Sequence, residues 1–214
     1  MNVDGERLKT YLQSITHERD ENLKRLREEA LKDDIPIIRE DMEDLMEVLL
    51  KLMKPEKVLE VGTAVGYSAI FMAENLPESS SIVTIEHDNA RAAKARENIS
   101  KAGFDEKITL IEGDAGDILK EFTDTFDFIF MDAAKAQYVI WLPAVLEHLT
   151  KGGLLVTDNV LQEGDILESR FAVTRRNRTI HSRMREYLYE LKNTDGLTTT
   201  ILNVGDGVAL TVKE

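Results

Sequence analysis

The chain has 214 residues, of which 43% are apolar and 31% charged, with a formal charge of −13 and no cysteine. That size and composition suit one α/β domain spanning residues 1–214, and its apolar runs are too short to cross a bilayer, so no membrane partner is expected. The missing cysteines exclude disulfides, thiolate metal sites and cysteine nucleophiles. With no basic-then-apolar leader the expected compartment is the cytoplasm, and the acidic balance excludes a general nucleic-acid coat while leaving room for a local basic patch.

Residues 1–54 read as a helical segment. Leu8, Tyr11, Leu12 and Ile15 share one helical face, and Leu23, Leu26, Ala30 and Leu31 a second. Pro36 interrupts this pattern before a third helix with Met42, Leu45, Met46, Leu49 and Met53 on one side. Such stripes mean core packing, and the apolar Ile35-Pro36-Ile37 connection could also rim a pocket. The helices exceed what a sheet needs for cover, which favours a homodimer.

Residues 55–214 alternate strands with helices. Strands are expected at Val58–Val61, Ser81–Glu86, Ile108–Glu112, Phe126–Met131 and Leu154–Thr157, with helices at Tyr67–Leu76, Asn89–Ala102, near Ile118 and at Gln137–Leu149. The strands are apolar on both faces, as in a buried parallel sheet, so the fold expected is α/β, Rossmann-like and doubly wound. In such sheets ligands bind at the carboxyl ends of the strands. The first strand ends in LEVGTAVGYS, residues 59–68: Glu60, then a turn with Gly62 and Gly66, then Ser68 in the next helix. Glycine lets a ligand approach the backbone, and a helix N-terminus offers N–H groups. The spacing is neither the dinucleotide fingerprint nor a phosphate loop, so the turn alone leaves open a plain βα connection or a cofactor cradle.

Acids and an amide follow the other strands: Glu86, Asp114, Asp132, and the pair Asp158-Asn159. Singly each could be a helix cap or turn residue. Together on one rim they suit a nucleoside cofactor, with Glu86 accepting from a ribose diol and Asp114 from an adenine amino group. Asp132, Asp158 and Asn159 are hard oxygen ligands suited to magnesium or another divalent cation. Lys135, three residues beyond Asp132, reads either as a surface charge or as a general base beside that cation.

LEVGTAVGYSAI, TIEHD, MDAAK and TDNV resemble motifs of the class I, S-adenosylmethionine-dependent and divalent-cation-dependent O-methyltransferases, the catechol and caffeoyl-CoA O-methyltransferase family. The resemblance runs from about Pro36 to the end. It implies a seven-stranded sheet with the last strand antiparallel, matching a closing pair at Thr198–Asn203 and Val208–Val212 around Gly205-Asp206-Gly207. It also implies that Glu60, Gly62, Gly66 and Ser68 surround the methionine part of the cofactor, Glu86 the ribose, and Asp114 and Ala115 the adenine. Asp132, Asp158 and Asn159 would hold the metal, with Asp132 also beside the cofactor, and Lys135 would take the proton of an acceptor hydroxyl.

The stretch from Arg170 to Arg185 carries six arginines and no acid. On a helical wheel Ile180, Met184, Tyr187, Leu188 and Leu191 form an apolar face opposite Arg175, Arg178 and Arg185, with Arg176 and Arg183 on a flank. This is either a solvated or dimer-contact face, or a phosphate-docking array at the substrate entrance. Ile35-Pro36-Ile37, DNVLxxG, the arginines and VGDG are most similar to the bacterial tRNA 5-hydroxyuridine methyltransferases. That resemblance implies tRNA as substrate and Arg175, Arg176 and Arg178 as its contacts, with a small catechol or other phenol as the alternative acceptor.

Overall fold

The computed structural model describes residues 5–16 and 19–214. Strands β1 (Lys57–Val61), β2 (Ser81–Glu86), β3 (Ile108–Glu112), β4 (Phe126–Met131), β5 (Leu149–Thr157), β6 (Leu197–Leu202) and β7 (Val208–Lys213) form one seven-stranded sheet. Their order is β3-β2-β1-β4-β5-β7-β6; β1 to β5 pair in parallel, and β7 runs antiparallel to both β5 and β6. The sheet is the Rossmann-like one expected. Its order reverses beside β1, which places a crevice between the carboxyl ends of β1 and β4.

The helices are α1 (Gly5–Ile15), α2 (Glu21–Lys32), α3 (Glu40–Met53), α4 (Tyr67–Asn75), α5 (Asn89–Ala102), α6 (Ala115–Glu121), α7 (Tyr138–His148) and α8 (Arg178–Asn193). The bounds lie within one residue of those expected, β5 excepted. β5 begins at Leu149 because its first residues pair with Phe126 through an irregular register, and α7 begins at Tyr138 because Lys135–Gln137 form a separate 3-10 turn. α3, with Met42, Met46 and Leu50 buried, packs in one hydrophobic cluster with Leu23 and Leu26 of α2, Phe71 of α4, and Val58 and Phe128 of the sheet. The N-terminal helices thus share the core of the sheet. The apolar face of α1 is different: Leu8, Tyr11, Leu12 and Ile15 are all exposed.

One buried charge ties this helical layer to the sheet. Glu43 of α3 is 1% exposed and accepts from Arg27 of α2, from the Nε of Arg19 at 3.1 Å, and from the hydroxyl of Tyr67, the first residue of α4, at 2.6 Å. Arg27 also donates to the carbonyl of Ile38 at 3.0 Å. A carboxylate removed from water is tolerated only with such full pairing. Glu43→Ala leaves two arginines facing an empty site. It is expected to destabilise the protein by about 3–5 kcal/mol in urea unfolding, well beyond the effect of Lys51→Ala, which removes an exposed helix pair.

Candidate functional site

The rim is built by a staircase of backbone hydrogen bonds. Just beyond four of the five parallel strands one more N–H still pairs with the neighbouring strand: Gly113 donates to Glu86, Gly62 to Ile85, Asp132 to Val61 and Asp158 to Met131, at 2.9 to 3.0 Å. Every sequence-predicted strand-end residue is therefore set on one edge. Beside it lies a cavity of about 730 Å³ whose wall includes Gly62, Ser68, Glu86, Asp114, Ala115, Asp132, Lys135, Asp158 and Asn159. Pro36, Ile37, Ile38 and Arg39 close one side, so the proline connection does rim the pocket, and Asp206 and Glu163 line it as well.

The two glycines have different reasons. Gly62 adopts φ 105, and a Cβ there would run into the Asp132 carbonyl; it is required by the close approach of β1 and β4, whatever the ligand. Gly66, at φ 86, is the left-handed N-cap of α4, and a Cβ would meet only ordinary contacts with Ala95. Between them Ala64 also takes positive φ and donates its N–H to Glu86 Oε2 at 2.8 Å. The N–H of Asp88 reaches Glu86 Oε1 at 2.8 Å, leaving each carboxylate oxygen a further lone pair for a diol. Asp114 caps α6 by accepting from the Gly116 N–H at 2.8 Å while still facing the cavity.

Glu60 is fully buried, and burial pushes its carboxyl up to about 7 against the hydroxyls of Ser68 and Thr84. Thr84 donates to its Oε2, but its Oε1 has no hydrogen-bond partner. Glu60 is not itself on the cavity wall, but its neighbour Ser68 is, and an orphaned buried acceptor there fits a cofactor that brings a positive group to that wall. Asp158 is likewise pushed up to about 7, first by burial and then by the charge of Asp132. Asp132 is raised by burial and eased by Lys135. Two hard-oxygen carboxylates that disfavour each other's charge, flanked by the Asn159 amide, fit a bound divalent cation. Asn159 itself adopts φ 57, a strained conformation that places it at the turn beyond β5.

Some contributors escaped the sequence reading. Trp141 of α7 lines the cavity, and its indole edge lies so close to Gly116 that a Cβ there would meet Nε1 at 2.8 Å. His87 and Arg91 also line the wall. The only available signal was their position just after strand ends or on the helix that follows. Asp206 holds the opposite side, accepting from the Glu163 N–H through its side chain and from the Leu161 N–H through its carbonyl.

The arginine segment differs from its helical wheel. α8 starts only at Arg178, so Arg175 and Arg176 precede the helix and are exposed outside the cavity wall. The buried face carries His181, Met184, Tyr187 and Leu191, with Ile180 only half-buried. Arg178 does not project freely: it is half-buried and donates to the carbonyls of Val173 and Phe171 at 3.3 and 3.5 Å. The apolar side of the wheel holds at Met184, Tyr187, Leu188 and Leu191, and the wheel is wrong at Arg175 and Arg176, which form a turn ahead of the helix.

Glu60 gives a pH test. Its folded pKa lies above that of an ordinary carboxyl, so between about 4.5 and 7 the native state keeps a proton that the unfolded chain has released, and stability falls as pH rises through this window. Glu60→Gln removes that loss. Thermal unfolding without ligand is expected to show the variant more stable than wild type at pH 8, by an amount on the order of 3 kcal/mol, and little different at pH 4.5.

Known proteins supply the remaining context. The family model described as O-methyltransferase matches residues 13–214. A catechol O-methyltransferase of Niastella koreensis is 36% identical over 127 residues, which is 58% of each chain. A caffeoyl-CoA O-methyltransferase of Populus kitakamiensis is 31% identical over 89% of this chain and 85% of its own. Among solved structures, the O-methyltransferase TomG of Streptomyces achromogenes in complex with SAM superposes with a TM-score of 0.84 at 26% identity, covering 99% of both chains.

Proposed function

Because the chain belongs to the O-methyltransferase family, we propose that it transfers the methyl group of S-adenosylmethionine, with magnesium or another divalent cation, to one of two vicinal oxygens of an acceptor. The observation that carries this reading is the convergence on one rim of a nucleoside-type wall, Gly62, Ser68, Glu86, Asp114 and Trp141, with two charge-frustrated carboxylates and a lysine. Glu60 and Ser68 answer the methionine end, Glu86 the ribose, and Asp114, Ala115 and Trp141 the adenine. Asp132, Asp158 and Asn159 hold the cation. When bound, the cation supplies positive charge that favours the ionised form of an acceptor hydroxyl. Lys135, which lies in the field of both carboxylates, takes that hydroxyl proton, and the walls hold donor and acceptor in line.

For the acceptor we propose the 5-hydroxyl of wobble 5-hydroxyuridine in tRNA, where the adjacent 4-carbonyl gives the vicinal pair. Exposed Arg170, Arg175 and Arg176 support it, as does Phe171, 85% exposed among them and free to stack on a base. The second reading is a small catechol or other phenol. It is supported by the names of the relatives and by the engagement of Arg178 with its own backbone. Purified protein with S-adenosylmethionine and magnesium, offered hydroxyuridine-containing tRNA and catechol in parallel, is expected to yield 5-methoxyuridine by nucleoside mass spectrometry. A chelator should abolish the product, and Lys135→Ala should slow it roughly a hundredfold. Combined Arg175→Glu and Arg176→Glu should weaken tRNA turnover alone. Catechol turnover equal to or above that of tRNA selects the second reading.

The four exposed apolar residues of α1 support assembly with a second copy of this chain. Light scattering should give a dimer for wild type and a monomer for Leu12→Glu; a wild-type monomer at micromolar concentration rejects it.

A further inference from the structure

The turn that carries Lys135 is short. Lys135–Gln137 is a single 3-10 turn, closed by the Gln137 N–H donating to the Ala134 carbonyl at 2.7 Å and by the Tyr138 N–H donating to the Lys135 carbonyl. A 3-10 turn this short has poor hydrogen-bond geometry and little stability by itself. On its strand side the segment is tethered by the Asp132 N–H to Val61 and by the Ala133 N–H, which donates to the buried Tyr138 hydroxyl at 3.0 Å. Besides the Tyr138 N–H at the start of α7, a side chain of α8 reaches the turn: Arg183 Nη1 donates to the Ala136 carbonyl at 2.9 Å.

We propose that Arg183 is a positioning residue for the proton-accepting Lys135, clamping the turn from its far side through the Ala136 carbonyl. This rests on the reading of Lys135 given above. A guanidinium suits the task because it stays charged at any working pH and makes a charge-assisted bond to a neutral acceptor. The clamp belongs to a wider pattern. Arg185 donates to the Ile166 carbonyl at 3.2 Å, His181 Nε2 lies 3.1 Å from the Glu168 carbonyl, and Arg178 takes the carbonyls of Val173 and Phe171. The basic face of α8 therefore reads backbone carbonyls of the two loops beside the site, the one carrying Lys135 and the one that follows Asp158-Asn159. Its charge near the entrance is directed inward at Arg183, so loss of this residue acts on rate and not on acceptor docking.

The test compares wild type, Arg183→Ala and Arg183→Lys as full-length protein. Amide hydrogen exchange followed by mass spectrometry is expected to speed up at least fivefold in residues 133–138 of Arg183→Ala, with β4 unchanged. In methyl transfer the same variant is expected to lose at least tenfold in kcat, with KM for S-adenosylmethionine and for the acceptor within twofold of wild type. Arg183→Lys, whose ammonium can still donate to one carbonyl, recovers part of both. Unchanged exchange at 133–138, or faster exchange with an unchanged kcat, overturns the clamp. Should wild type transfer no methyl group to any acceptor, the reading of Lys135 falls, and unchanged exchange would still reject the Arg183 tether on its own.

Discussion

The site depends on one constraint, the continuation of parallel pairing for one residue beyond the strands. Gly113, Gly62, Asp132 and Asp158 each donate an N–H to the neighbouring strand. A backbone donor at the edge of a buried sheet must find a partner, and the adjacent strand end is the nearest acceptor. The result is a fixed lateral order in which Glu86, the glycine turn, Asp132 and Asp158 follow the strand order β2, β1, β4 and β5. Gly62 is the point at which this order becomes unforgiving, because the Asp132 carbonyl occupies the space of any side chain there.

The same edge concentrates negative charge where water is scarce. Glu60, Asp132 and Asp158 are all pushed toward their neutral forms by burial, and Glu60 and Asp158 also by neighbouring carboxylates. None of these groups stabilises the empty fold by being there. Positive charge brought to Glu60, or between Asp132 and Asp158, would offset their cost. Binding and stability are therefore linked at this rim, and the ligand-free protein is the less comfortable state.

The sheet and its rim were legible in the sequence because their signals are local. Apolar runs ending in Gly or an acid mark strand ends, and a parallel sheet collects strand ends on one edge. Arg178, Arg183 and Arg185 were not legible in this way. Their partners are backbone carbonyls of distant loops, and a carbonyl has no letter in a sequence. Charge counting read all six arginines as available to a polyanion, whereas three of them have partners within the chain. Trp141 and Tyr138 were missed for a related reason: each looks like an ordinary apolar helix position, and only the fold turns the indole toward Gly116 and the phenol toward Ala133.

Glu43 extends this argument to the N-terminal layer. Met42, Met46 and Leu50 on the same helix are legible as core, but an acid among them reads as a solvent-facing residue until Arg19, Arg27 and Tyr67 are seen around it. Tyr67 opens the helix that follows the glycine turn, and Arg27 also holds Ile38 in the segment that closes the pocket. A single buried carboxylate thus fixes both the helix that follows the glycine turn and one wall of the cavity. Hydrophobic packing alone would bury α2 and α3 against the sheet with some freedom to slide; a carboxylate with three directional partners removes that freedom, because any shift leaves a charge unpaired away from water.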